Sequence, residues 1–350
     1  MKFVDTHDIK PGMILAQDII GKYDLIFLTK ETVLKKENIE KIKKMNISYV
    51  CVKEESENID EELSIKLKSM PDIKLSNPYM KSLSEFKKIY EEVGLGKKIQ
   101  VEMMKSAMSP LIKEVIEDNN ILSRLRKLKV VDDYTYKHSI NVCILSTMIG
   151  KWLNYTKNDL DHLSIAAILH DIGKSRIDSR IINKPDTLTK EEFDIIQTHP
   201  TVGYEILTQE EFNMDICCGV LQHHERMDGS GYPMKAKKNK IHEFGKIIAI
   251  ADIFDAMTAQ RVYKQKESPF KVAELIAKNR FGVLDPHISN QFLFHISKFY
   301  VGNIIRLNTG EIAEIVLVNK QMPTRPLIKV NNNFIDLYKS LEYEIIEVLV

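Results

Sequence analysis

The chain has 350 residues, 44% of them hydrophobic and 28% charged, with 14 Gly and 11 Pro. Disordered, collagen-like and low-complexity classes are excluded, and the length suits about two domains. Fifty basic residues against 49 acidic ones give a formal net charge of +1, so no global charge recruits a nucleic-acid polymer or an anionic membrane, although a local basic pocket stays open. No run of apolar residues is long enough to span a bilayer, the opening MKFVDTHDIK has no secretory apolar region, and the four cysteines form no C-x-x-C pair. The expectation is a cytoplasmic protein of a reducing compartment.

Residues 1–75 read as an N-terminal accessory α+β region of unassigned role. Pro11-Gly12 marks a turn, residues 25–28 are a short apolar run, and residues 47–52 are rich in strand formers. Between them, residues 36–46 place Ile39, Ile42 and Met45 on one helical face. A polar stretch over 53–62 reads as a linker. Residues 76–298 then carry helical periodicity. Leu83, Phe86, Tyr90 and Val93 keep it up to Gly94-Leu95-Gly96, and Leu111, Val115, Leu122 and Leu125 resume it. Met103, Met104 and Met108 could form a soft binding surface, but helix packing is the plainer reading. Beyond Tyr300 the period becomes two. Residues 304–307 and 312–318 flank the turn signal Asn308-Thr309-Gly310, Pro323 and Pro326 punctuate, and residues 327–330 and 345–350 are again apolar. Residues 299–350 read as a small C-terminal β appendage, and the fold class is mainly α.

Chemistry concentrates in the helical region. His170-Asp171 ends the apolar run 163–169 and precedes Ile172-Gly173-Lys174. The dipeptide alone means little. Ten histidines meet an aspartate by chance about 0.6 times in a chain of ordinary composition, and His7-Asp8, in a polar segment, is assigned to chance. Company changes the reading. His138 lies in a helix over 134–149. His199 follows a helix opened by the capping-box signature Thr189-x-x-Glu192 and is read as closing that helix. The adjacent imidazoles His223-His224 end an apolar helix, where leaving them buried and unpaired is costly. Asp252 interrupts the apolar run Ile247-Ile248-Ala249-Ile250-Ala251, and an ionised carboxylate there must be paired or coordinate a cation. Five imidazoles and two carboxylates suit two six-coordinate metals if one carboxylate bridges, and the mixed donor set suits Fe or Mn as well as Zn.

Read in order, these segments resemble the HD-GYP family of cyclic di-GMP phosphodiesterases, a branch of the HD superfamily of metal-dependent phosphohydrolases. The likeness runs through Tyr134-Thr-Tyr-Lys-His138-Ser, His170-Asp-Ile-Gly-Lys174, Thr198-His199-Pro200, His223-His-Glu-Arg-Met-Asp-Gly-Ser-Gly-Tyr-Pro233 and Ala251-Asp252-Ile-Phe-Asp255-Ala-Met-Thr258, covering residues 132–281. It implies an HD-type helical bundle as the catalytic domain. It also implies His138, His170, Asp171, His199, His223, His224 and Asp252 as metal ligands, with Asp171 bridging two ions. Lys174 would contact the substrate phosphate, Tyr232 would line the pocket, and Arg261 and Lys264 would hold the cyclic dinucleotide. Without the resemblance, Lys174 would be read as satisfying helix carbonyls, and Arg261 and Lys264 as solvated charges. Members with three metals carry a glutamate four residues before the first histidine. Tyr134 stands there, which favours two divalent transition metals, Fe or Mn, with Zn, Ni or Co as other fillings.

The implied reaction is hydrolysis of cyclic di-GMP by a hydroxide bridging the metals, giving linear pGpG and, after a second cut, GMP. A hybrid cyclic GMP–AMP dinucleotide is the alternative substrate, because the phosphate ring is shared. A non-hydrolysing cyclic dinucleotide receptor is the alternative of another class, and the complete ligand set argues against it. The expected partner is the cyclic dinucleotide, with no DNA or RNA polymer and no membrane span, and a homodimer is left open.

Overall fold

A computed structural model describes residues 2–6, 8–17, 19–20, 26–44, 49–53, 73–118, 121, 134–184, 186–258, 268–279, 282–331 and 333–349. Its contacts divide into two compact units, Met1–Met70 and Pro71–Val350.

The first unit contains β1 (Lys2–Asp5), β2 (Ile19–Ile20), β3 (Ile26–Leu28), α1 (Lys36–Lys44) and β4 (Tyr49–Val52). β1 pairs antiparallel with β4, and β2 pairs with β3. Leu15, Leu34, Ile39, Ile42, Val50 and Val52 form its core. Ile39 and Ile42 point inward as their spacing requires, and Gly12 turns with φ +97° beside Pro11. Neither β1 nor β2 was marked in the sequence: β1 has only two apolar residues between polar ends, and β2 has two residues in all.

The second unit opens with α2 (Ile73–Gly94) and α3 (Val101–Glu117). α2 buries Leu75, Tyr79, Leu83, Phe86 and Val93, and α3 buries Met104, Met108, Leu111 and Val115. Two of the three methionines are therefore packing residues, while Met103 is 40% exposed. α4 (Tyr134–Trp152) and α5 (Lys157–Ile168) follow. The start of α5 is set by Thr156, whose side chain accepts the Asp159 amide. After the short α6 (Ser179–Ile182), α7 (Lys190–Ile196) begins with the expected capping box between Thr189 and Glu192. His199 does not close that helix. It opens α8 (His199–Gln209), with Pro200 in the first turn, where a missing amide proton costs nothing. α9 (Met214–Gln222), α10 (Glu243–Thr258), α11 (Pro269–Asn279) and α12 (Pro286–Lys298) complete the helices. At the centre, α5 and α10 pack against each other, and both pack against α4 and α9.

A five-stranded antiparallel sheet follows: β5 (Ile304–Leu307), β6 (Ile312–Leu317), β7 (Leu327–Val330), β8 (Asn333–Asp336) and β9 (Ile345–Val348), in the order β8-β7-β6-β5-β9. Ile305, Leu307, Ala313, Ile315 and Ile328 join the same hydrophobic core as the helices. Arg325 is buried beside this sheet and donates to the carbonyls of Leu337, Leu341 and Tyr343. Among the described residues, no helix is long and apolar enough to cross a membrane.

Trp152, the single tryptophan of the chain, lies flat on His295 of α12, with ring centroids 4.7 Å apart and planes 7° apart. Burial, and then the Lys298 charge, depress the His295 pKa to about 4. For a base depressed by folding, the stabilisation is complete above its unfolded pKa of about 6.5 and is lost as pH falls towards the folded value. Tryptophan fluorescence should therefore show a transition centred near pH 4, absent in His295→Phe. A midpoint at the unperturbed imidazole value would refute the stacked, desolvated arrangement.

Candidate metal centre

Helix ends supply most of the site. α5 stops at Ile168, and the chain turns through Leu169, His170 and Asp171 into a 3-10 turn over Ile172–Arg176. α9 stops at Gln222 with His223 as its C-cap, and His224 follows. His199 starts α8. His138 and Asp252 come from the interiors of α4 and α10, where an inward face of a packed helix delivers them. His138, His170, Asp171, His199 and His223 are buried, whereas His224 and Asp252 are partly exposed.

All seven side chains predicted from the sequence come together. Asp171, His199, His223 and His224 offer donor atoms within 4.8 Å of one another, and so do His138, His170 and Asp171. Asp171 belongs to both groups. Asp252 joins through His138, its Oδ1 lying 3.2 Å from Nε2.

The imidazoles are held in one tautomer. His170 Nδ1 donates to the Ala167 carbonyl at 2.8 Å, His199 Nδ1 to Ile196 at 2.7 Å, and His223 Nδ1 to Val220 at 2.7 Å. A carbonyl can only accept, so each proton sits on Nδ1 and each Nε2 presents a lone pair. His138 Nδ1 points to Asp255 Oδ2 at 2.7 Å. The Nε2 atoms of His199 and His223 then face each other at 3.3 Å. His170 Nε2 and Asp171 Oδ1 are buried without a hydrogen-bond partner, although Asp171 Oδ1 lies 3.2 Å from His199 Nε2. Buried lone pairs converging on one space are costly unless a cation shares it. The cluster fits a divalent metal centre, and the nitrogen and oxygen donors suit a transition ion.

Electrostatics agree with that use. Burial, reinforced by the crowding of His224, His170 and His199 around it, holds His223 well below the usual imidazole range. Burial also pushes His224 down to about 3, so both imidazoles are neutral near pH 7. Burial alone would raise Asp171, but the neighbouring His170 and the Lys174 ammonium override it and hold its carboxyl well below the ordinary range. Burial opposes charge on His138, yet Asp252 and Asp255 outweigh it and raise the imidazole to about 10.

Lys174 places its ammonium 2.7 Å from Asp171 Oδ2, at the cluster rather than on helix carbonyls. The Tyr232 ring stacks on His224, with centroids 4.7 Å apart and planes at 29°. Gly173 is where two backbones touch, since a Cβ there would lie 2.0 Å from the His199 carbonyl oxygen. Arg261 and Lys264 lie outside the described residues, as do His7 and the Tyr134 side chain. Sequence reasoning passed over Asp255 as a support, although it sits one turn beyond Asp252 on α10. Its Oδ1 accepts from Asn141 Nδ2 at 2.9 Å, and Asn141 Oδ1 accepts from the Tyr79 hydroxyl at 3.2 Å.

Comparison with known proteins bears on this arrangement. The family model of the HD domain matches residues 111–288. A cyclic di-GMP phosphodiesterase of Pseudomonas aeruginosa is 29% identical over 69% of this chain and 58% of its own length. A cyclic di-GMP phosphodiesterase of Thermotoga maritima is 35% identical over 62% of this chain and 56% of its own. A 3'3'-cGAMP-specific phosphodiesterase of Vibrio cholerae is 33% identical over 45% of this chain and 35% of its own. The chain thus spans little more than half the length of the first two relatives. An HDG"Y"P protein from Bdellovibrio bacteriovorus shares the fold, with a TM-score of 0.52 at 15% identity over 83% of this chain and 97% of that one.

Two outcomes follow from the geometry. Asp255→Ala removes the acceptor that orients His138 and should weaken metal retention by about 10–100-fold, read as metal per chain against chelator concentration. Unchanged retention would remove Asp255 from the support of the site. Gly173→Ala should cost about 1–3 kcal/mol in thermal or denaturant unfolding, because the added methyl meets the backbone of His199. A variant as stable as wild type would mean that the two turns separate freely.

Proposed function

Since this chain belongs to the HD domain family, in its HD-GYP branch, we propose that it hydrolyses one phosphodiester bond of cyclic di-GMP, giving linear pGpG and, after a second cut, GMP. The observation that carries this reading is the position of Asp171. One buried carboxylate belongs to two groups of donors whose imidazoles present bare Nε2 atoms. That pattern supports a two-ion centre of Fe or Mn with Asp171 as the shared ligand, and Tyr134, in place of a carboxylate, argues against a third ion. Such ions, when bound, supply a water of lowered pKa and a clamp for phosphoryl oxygens.

The chain's own groups divide the remaining work. Lys174 stands beside Asp171, where its ammonium offsets charge growing on the non-bridging phosphate oxygens. Tyr232 on His224 gives the pocket an aromatic wall, suited to the flat face of a base. Arg261 and Lys264, beyond the last ligand, hold the parts of the dinucleotide that do not react. The buried imidazoles exclude bulk water, which strengthens each of these charge interactions.

The similarity to a Vibrio cholerae 3'3'-cGAMP-specific phosphodiesterase supports a second substrate, the hybrid dinucleotide, which differs from cyclic di-GMP only at one base. Side-by-side product assays on metal-loaded protein decide between them. Faster turnover of cyclic di-GMP is expected, and turnover of neither compound would end the proposal.

Asp171→Ala should lose metal and turnover together, and normal turnover with full metal would remove it as a shared ligand. Lys174→Ala should lower kcat by about a hundredfold with metal retained, the scale for loss of one group that stabilises developing charge. Arg261→Ala should act mainly on KM, as expected for binding that is equal in ground and transition states. A fall in kcat alone for Arg261→Ala would place it in the chemical step.

A further inference from the structure

Between His224 and α10 the chain makes an excursion over residues 226–242 that carries Tyr232 and includes a 3-10 turn at Lys238–Lys240. Two buried polar side chains bracket the histidine pair, Gln222 before it and Glu225 after it. Gln222 Oε1 accepts from the His242 amide at 2.6 Å, and its Nε2 donates to the Lys240 carbonyl at 3.5 Å. Glu225 Oε1 accepts from the Met234 amide at 2.7 Å, and Oε2 accepts from the Ala236 amide at 2.9 Å.

A carboxylate 3% exposed and adjacent to two metal-ligand candidates would ordinarily be read as another ligand. Both its oxygens are instead taken by backbone amides. Those amides belong to a stretch with no strand or helix to satisfy them, and a buried amide left without an acceptor is costly. The excursion is also pressed close to the segment that carries the histidines. The Tyr232 amide donates to the His224 carbonyl at 3.3 Å, and a Cβ on Gly231 would lie 2.3 Å from that same oxygen.

We propose that Glu225 is a positioning residue of the substrate pocket: by holding the amides of Met234 and Ala236, its carboxylate keeps the Tyr232 ring packed on His224. The inference rests on the reading of Tyr232 as a wall of that pocket. Released at 234 and 236, the loop would lose its two shortest ties beside Tyr232, leaving the 3.3 Å bond to His224 and the Gln222 contacts further along. The wall would then have to be re-formed by each substrate molecule, and the loss would fall on binding.

The test compares wild type, Glu225→Gln and Glu225→Asp as the full chain loaded with manganese. Glutamine turns one acceptor into an N–H that faces another N–H. Aspartate withdraws the carboxylate by one methylene and serves where glutamine prevents folding. Amide hydrogen exchange over residues 229–236, metal per chain, and kcat and KM on cyclic di-GMP are the readouts. Exchange should quicken by at least about tenfold and KM should rise about tenfold, with metal unchanged and kcat within about threefold. Wild-type exchange in both variants overturns the clamp. Faster exchange with an unchanged KM overturns its role in the pocket while leaving the hydrolytic reading intact. Metal lost in step with exchange also overturns it, since Glu225 would then support the histidines themselves. A wild type that neither binds nor hydrolyses the dinucleotide sinks the functional reading, and the pocket role of Glu225 with it.

Discussion

Three hydrogen bonds from imidazole to backbone govern this site: His170 to Ala167, His199 to Ile196 and His223 to Val220. Each accepting carbonyl belongs to the last turn of a helix, α5, α7 and α9 respectively. There the carbonyls have no amide partner further along the chain. One interaction thus completes a helix terminus and fixes which ring nitrogen faces the cluster. Ligand orientation is paid for by secondary structure, and no separate set of carboxylates is needed to set it. His138 is the exception. It lies within α4, where the carbonyl three residues back is already engaged by the helix, and a side chain, Asp255, takes over the role.

A chain of almost balanced charge can still hold a strongly polarised interior. Asp171 keeps its negative charge because Lys174 and the surrounding imidazoles stand around it. His223 and His224 lose their positive charge because burial and neighbouring imidazoles disfavour it. The same small volume therefore holds a carboxylate that stays ionised beside two imidazoles, His223 and His224, that stay neutral, as ligation of a cation requires.

The site was more legible than the fold that carries it. His170-Asp171, His223-His224 and Asp252 stood out because they contradict their apolar surroundings, and such contradictions show in one dimension, whereas His138 and His199 are unremarkable alone and were named through their company and the family resemblance. Helix ends were legible where side chains make the cap, as at Thr189 with Glu192. The placement of His199 was misread because a break of two residues separates α7 from α8, and periodicity alone does not register so short an interruption. Asp255 and Glu225 escaped for another reason. Their roles lie in which atoms they touch, Nδ1 of a residue far back in the chain and two amides of a loop, and no spacing rule encodes such contacts. Strands β1 and β8 were missed because each holds only two apolar residues between polar ends, and β2 because it holds two residues in all.

The order of the C-terminal strands has a consequence for the timing of synthesis. β9 does not extend the sheet beyond β8. It returns to pair with β5, the first strand of this sheet, so that Ile305 lies opposite Val348. Arg325 likewise finds its three carbonyl acceptors at positions 337, 341 and 343, all later in the chain than itself. On the ribosome, the helices that hold the histidines emerge well before these partners do. Until residues 345–348 have left the exit tunnel, one edge of β5 stays open while its Ile305 and Leu307 already belong to the core beneath. That open edge is a template for pairing with a neighbour on the same polysome, and β9 is the piece that removes it.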